Sequence, residues 1–138
     1  VDKKEAVRLY KMAIDLGYID SMFNYANLLM GYSGDPPNYK EATRYFKMAA
    51  EKGHIEAMVC YAFNLNEGRG VPRNQCEAAK FFKIAADHGH AAAMLDYGIL
   101  RYYGDGVDEN QSEGIRYMKM AANKGIENAK IALQRINK

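Results

Sequence analysis

Two stretches, AMVCYAFNLNEGRGVPRNQCEAAKFFKIAADHG at 57–89 and AMLDYGILRYYGDGVDENQSEGIRYMKMAANKG at 93–125, carry one pattern in one register, 36 residues apart. The period runs outward in both directions: Gly17, Gly53, Gly89 and Gly125 obey it, as do Glu5, Glu41, Glu77 and Glu113, and Lys11, Lys47, Lys83 and Lys119. Laid side by side without gaps, residues 41–76 and 77–112 agree at 16 of 36 positions. Self-similarity at such a period marks a repeat architecture, in which each unit buries its apolar face against its neighbours.

Inside each unit the apolar residues recur at helical spacing in two segments parted by glycine, so the unit is a helix pair. B-type helices run from about Asn38, Asn74 or Asn110, plausible N-caps, to Glu51, Asp87 or Asn123, with glycine just past the end. A-type helices begin near His54, His90 or Ile126 and run about three turns. The loops that follow carry Gly68, Gly70 and Val71, then Gly104, Gly106 and Val107, where glycine can take positive φ. The first loop keeps Gly34 but brings Tyr32 and Pro36, so its turn should differ. The expected fold is an all-α, right-handed α-α superhelical solenoid of about four repeats and eight helices. One domain spans 1–138: a partial repeat at 1–16, repeats at about 17–52, 53–88 and 89–124, and a terminal A helix at 125–138. A chain starting at Val1, inside a repeat, reads as a fragment of a longer protein.

Small residues occupy fixed columns: Ala13, Ala49, Ala85 and Ala121 on B helices, and Ser21, Ala57, Ala93 and Ala129 on A helices. Bulky residues fill the rest of the stack: Leu9, Tyr45, Phe81 and Tyr117 beside Tyr10, Phe46, Phe82 and Met118, with Tyr25, Tyr61 and Tyr97 on A helices. Repetition in every unit is what a stacked core requires, and it argues against a cofactor box. Charges such as Glu41, Arg44, Lys47 and Glu51 recur three or four apart, which predicts a solvated outer face.

The A-helix positions that vary are the candidates for function, because A helices line the concave wall of stacked hairpins. Asn24, Asn27, Met30, Phe63, Asn66, Glu67, Asp96, Ile99, Tyr102 and Tyr103 form the candidate partner-binding set. Phe23, Val59 and Leu95 belong either to this groove or to the packing between repeats. Apolar anchors mixed with polar groups suit a docked protein or peptide.

Composition excludes several other roles. With 19 basic and 17 acidic residues the net charge is +2, and the A-helix groove columns carry no Lys or Arg to meet phosphates, so no nucleic acid is expected. No apolar run of about 18 residues could span a membrane. Cys60 and Cys76 form no disulfide framework and fit a reducing compartment, with the cytoplasm favoured. His88 and His90 with Asp87 fall short of a closed zinc shell, Cys60 has no motif partner as a nucleophile, and DGVDEN at 105–110 lacks calcium-loop spacing. No catalytic, cofactor or metal residue is assigned. A metal-binding or enzymatic role, and a spacer segment that self-associates through open solenoid ends, stand as alternatives; in the latter, Arg135 and Lys138 make the last helix the more polar end.

The repeat resembles the Sel1-like repeat, a relative of the tetratricopeptide repeat, through Ala93, Gly98, Gly104, Gly106, Val107, Asn110, Tyr117, Ala121, Ala122 and Gly125. Tyr25, Tyr61 and Tyr97 stand where that family usually has Leu, and Trp is absent throughout. The resemblance implies a scaffold or adaptor without cofactor, of the kind that assembles complexes in signalling, in quality control at the endoplasmic reticulum or in bacterial contact with hosts. Some secreted bacterial relatives join cysteines across each hairpin, a spacing not found in this chain.

Overall fold

A computed structural model describes residues 2–32 and 36–137. Gly34 and Lys138, invoked above for the first loop and the last helix, lie outside the described residues. Among those residues there are eight α-helices and no strand: α1 (Lys3–Asp15), α2 (Ile19–Asn27), α3 (Tyr39–Glu51), α4 (Ile55–Glu67), α5 (Gln75–Asp87), α6 (Ala91–Tyr103), α7 (Gln111–Asn123) and α8 (Glu127–Ile136). The chain divides into two compact units, Val1–Arg73 with α1 to α4 and Asn74–Lys138 with α5 to α8. Within each unit consecutive helices pack on one another.

Each B helix starts on a side-chain cap. Asp2, Asn38, Asn74 and Asn110 accept from the backbone N–H of Glu5, Glu41, Glu77 and Glu113, three residues on. Such caps contribute about 1 kcal/mol each, and the glutamates add negative charge where the helix dipole favours it. Each B helix ends on the glycine of the 36-residue period. Gly53 takes φ +95°, its N–H donates to the Ala50 carbonyl at 3.0 Å, and the His54 N–H reaches back to Ala49 at 3.1 Å. The same pair of bonds closes at Gly17, Gly89 and Gly125. His54 also caps α4, its Nδ1 accepting from the Ala57 N–H at 3.1 Å, and His90 does the same for α6 at 3.2 Å. One residue thus ends one helix and begins the next, which fixes the corner tightly.

The loops from A to B helices use glycine for a second reason besides φ. A Cβ on Gly70 would lie 2.3 Å from the Tyr39 carbonyl oxygen, and one on Gly106 would lie 2.5 Å from that of Gln75. Each loop therefore rests on the backbone at the start of the preceding B helix. The first loop departs from this plan, as expected: α2 widens into a π-type turn over Leu28–Tyr32, and Gly31 takes φ +91° one residue before the register of Gly68 and Gly104. Tyr32 stands in that register, and a side chain with a Cβ resists the left-handed region.

The small columns are buried at Ala49, Ala85 and Ala121 and at Ala57, Ala93 and Ala129, and half-buried at Ala13 and Ser21, while Phe46, Phe82 and Met118 fill the space between. Burying one such large side chain contributes roughly 2 kcal/mol. Leu9 departs from its column. It is 46% exposed, with Met12 on α1 and Leu16 at its C-cap also open; the main packing partner of α1 is α2. The outer face carries the expected intrahelical pairs, Glu5 with Arg8, Glu41 with Arg44, Glu113 with Arg116 and Lys83 with Asp87. Being exposed, these contribute a few tenths of a kcal/mol each.

The closest helix approach in unit 2 is α6 on α7, where Gly98 faces Gly114. A Cβ on Gly114 would sit 2.7 Å from both the Gly98 carbonyl oxygen and the Tyr102 backbone nitrogen. In an unobstructed helix Gly→Ala stabilises by about 1 kcal/mol. Here backbone blocks the new methyl, so Gly114→Ala should destabilise by about 1–3 kcal/mol in urea unfolding. A neutral or stabilising result would show that the two helices can part without loss.

Candidate functional site

On unit 1 the variable A-helix positions surround a cavity of about 230 Å³. Phe46 from α3 forms its floor and is only 1% exposed. Val59 and Cys60 line one side, and Asn27 and Met30, at the end of α2 and in the turn beyond it, line the other. Phe63, 41% exposed, and Arg69 from the following loop close the lip. Three residues of the candidate set, Asn27, Met30 and Phe63, are thus brought to one cavity. Asn24 lies exposed on α2 outside its lining. Asn66 and Glu67 fall at the end of α4, where the Asn66 carbonyl accepts from Arg73 Nε at 3.0 Å. Phe23 turns to packing: its ring stacks on His54 at 4.6 Å and leans on Phe46 at 5.8 Å.

The position of Arg69 was not legible from the repeat. Its backbone N–H donates to the Asn64 carbonyl at 2.8 Å. Its own carbonyl accepts from Thr43 Oγ1 at 2.9 Å, and that hydroxyl accepts from Asn64 Nδ2 at 2.9 Å. Thr43 and Asn64 are the buried polar side chains among the described residues. A signal for them did exist, since the next repeats have Ala79 and Leu100 in these columns, yet Thr43 and Asn64 are polar. Burying a polar group without partners costs a few kcal/mol, and the relay removes that cost while tying the loop to the core.

Unit 2 presents Asp96, Ile99, Tyr102 and Tyr103 along α6. The rings of Tyr102 and Tyr103 meet edge to face at 4.9 Å, and Tyr103 is 60% exposed. Leu95 is buried and belongs to the packing. Asp96 is half-buried, and loss of water pushes its carboxyl up to about 6, with nearby His90 acting in the opposite direction. Arg101 turns away to its own loop, donating to the Asp108 carbonyl at 2.6 Å.

The groups with chemical potential have structural partners. Besides capping, His54 places Nε2 3.3 Å from Asp20, and His88 Nδ1 bonds the Ile84 carbonyl at 2.8 Å. Burial acts to raise the Asp87 carboxyl, but hydrogen bonds from the Tyr117 hydroxyl at 2.6 Å and from Lys83 outweigh it and hold it low. Among the described residues no group of three or more His, Cys, Asp or Glu could hold a metal ion. Burial, with Glu56 nearby, pushes the Cys60 thiol up to about 11, so almost none is thiolate at neutral pH. No helix among those described is long and apolar enough to cross a membrane.

An all-helical repeat protein of this kind, with two helices per unit and a variable A-helix face, belongs among the α-solenoids. Sel1 repeat models match residues 1–18, 19–54, 55–90 and 91–126, and the chain belongs to the Sel1 repeat family. Its structure is similar to that of a Sel1 repeat protein from Oxalobacter formigenes, at 27% identity and a TM-score of 0.80 over 94% of this chain and 97% of the other. A protective antigen present in uropathogenic Escherichia coli strains, with an SLR fold, matches at 22% identity and a TM-score of 0.80; the alignment covers 88% of this chain and 26% of the antigen. Helicobacter pylori cysteine rich protein B matches at 21% identity and a TM-score of 0.67, over 91% of this chain and 90% of that one. These last two likenesses speak to fold alone. The search of curated proteins returned no match.

Asp96 makes its environment testable. A carboxyl whose folded value lies above its ordinary one near 4 penalises the folded state above about pH 6 and ceases to do so below about pH 4. Asp96→Asn should therefore be the more stable protein at pH 7 by roughly 1–3 kcal/mol, and the two should converge as the pH falls to 4. Urea unfolding across that range checks this; a gap independent of pH would mean that the carboxylate is not desolvated.

Proposed function

We propose that the chain is a protein-binding scaffold that holds a partner protein or peptide on its A-helix face, without chemistry of its own. The observation that carries this reading is the unit 1 cavity, apolar at its floor and open at an exposed aromatic lip. Protein interfaces draw most of their affinity from a few aromatic or aliphatic anchors in such hollows, with polar neighbours fixing register. In this reading Phe63 and Met30 supply the apolar contact on unit 1 and Tyr102, Tyr103 and Ile99 on unit 2, while Asn24, Asn27, Asn66, Glu67 and Asp96 orient the partner.

Phe63→Ala and Tyr102→Ala should each weaken capture of a partner from the source cell about tenfold or more, with circular dichroism and melting temperature nearly unchanged. Loss of helical content in both variants would instead make these residues part of the core and remove the site.

A second reading, self-association, is favoured by the apolar side chains open on α1 and at its C-cap, with Leu9 46% and Leu16 76% exposed. Large contiguous apolar patches usually meet a partner. Sedimentation velocity over a concentration series should then show oligomers that Leu9→Glu with Leu16→Glu disperses; a monomer at every concentration would end this reading.

A further inference from the structure

The lip of the unit 1 cavity carries a cation, Arg69, that has no carboxylate partner among the described residues. The arginines of the outer face are each held by a glutamate one turn earlier, Arg8 by Glu5, Arg44 by Glu41 and Arg116 by Glu113. Arg73 and Arg101 bond backbone carbonyls. Arg69 does neither. Its guanidinium carbon lies 5.2 Å from the Phe63 ring centroid and 5.4 Å from that of Tyr39, and it makes no ion pair among the described residues. Stacking on ring faces occupies the plane of a guanidinium and leaves its edge N–H groups free to grip a carboxylate.

The root of this side chain is held firmly. The buried relay from Asn64 through Thr43 ends on the Arg69 carbonyl, so two polar residues in otherwise apolar columns serve to anchor this one loop position. Anchoring a binding group before its partner arrives lowers the entropy cost of association. The arrangement is specific to this repeat, since the next has Asp105 in the same register. At about 230 Å³ the cavity lies below the range of about 300–1,000 Å³ typical of small-molecule sites, and it suits a single inserted side chain. Among the described residues its lining contains no carboxylate and is apolar at Phe46, Met30 and Val59.

From this geometry we infer that the cavity receives an apolar side chain from a peptide segment of the partner that carries an Asp or Glu beside it, with Arg69 holding that carboxylate at the lip. The cation stands over the rim and not at the floor, so the acid belongs to a residue next to the one that enters. This rests on the protein-binding reading above and adds the chemistry of the segment bound.

The probe is a phage library of random peptides about a dozen residues long, panned against the folded chain. Recovered peptides are synthesised with a fluorophore and titrated by anisotropy against wild type, Phe63→Ala and Arg69→Glu, whose folding is checked by circular dichroism. The expected binders share an aliphatic or aromatic residue with Asp or Glu within about two positions. Arg69→Glu should weaken them about tenfold or more, as loss of a charge-assisted hydrogen bond does. Changing the peptide acid to Lys should restore binding to Arg69→Glu. Peptides that need Phe63 but lack an acid and ignore Arg69→Glu overturn the inference and leave the scaffold reading standing. Peptides that need Arg69 but ignore Phe63→Ala remove the cavity from it. A selection that returns no binder, or only binders indifferent to both variants, overturns both.

Discussion

Two helices can bring their backbones into contact only where neither carries more than a methyl group at the crossing, and the structure is organised around that requirement. Between α6 and α7 it is met at its limit by Gly98 and Gly114, each of which has the other's carbonyl oxygen where a Cβ would stand. In α2 and α3 the same register holds Ala26 and Ala42, both fully buried. Gly70 and Gly106 apply the same logic to loops, which settle directly on the backbone at the start of α3 and α5. Positions used in this way have no latitude. The freedom to vary is left to side chains that point away from the crossings.

Economy at the corners follows from the same constraint. Gly53 and Gly89 end α3 and α5 by turning left-handed, and the very next residues, His54 and His90, cap the helices that follow. A nitrogen that accepts at such a cap must carry no proton, so in His54 the remaining ring nitrogen holds it and faces Asp20. One ring nitrogen of each of His54, His88 and His90 is therefore engaged by the backbone. Asp87 is likewise engaged by Tyr117 and Lys83. These side chains help to hold the corners of a short-loop repeat.

The candidate site is written in exceptions to the period. Thr43 and Asn64 interrupt apolar columns, and the hydrogen bonds that excuse their burial run to Arg69, which brings a positive charge to the edge of a largely apolar hollow. Asp96 is a second exception, a carboxylate kept partly out of water on α6 at some cost in stability. Strain of this kind tends to gather where a molecule meets something else.

Helix type, the Asn caps, the period glycines and the number of helices were all legible in the residues, because they depend on interactions within a few positions of each other and the repeat states them several times. Tyr32 and Pro36 mark the turn after α2 as irregular, but only the structure shows that Gly31 supplies it. Leu9 stands in a core column, yet it is open, since a column records what a helix can pack against and not whether anything is there. Asn27, Met30 and Phe63 were picked out by their variation, but nothing local told that they share one cavity with Arg69. That residue lies in a loop, outside the helical register, and its position is decided by a relay joining α3, α4 and the loop. By itself the sequence determined the repeating frame, through short-range bonds and residue size; only the tertiary structure decided which exceptions meet, because their meeting depends on how separate helices cross.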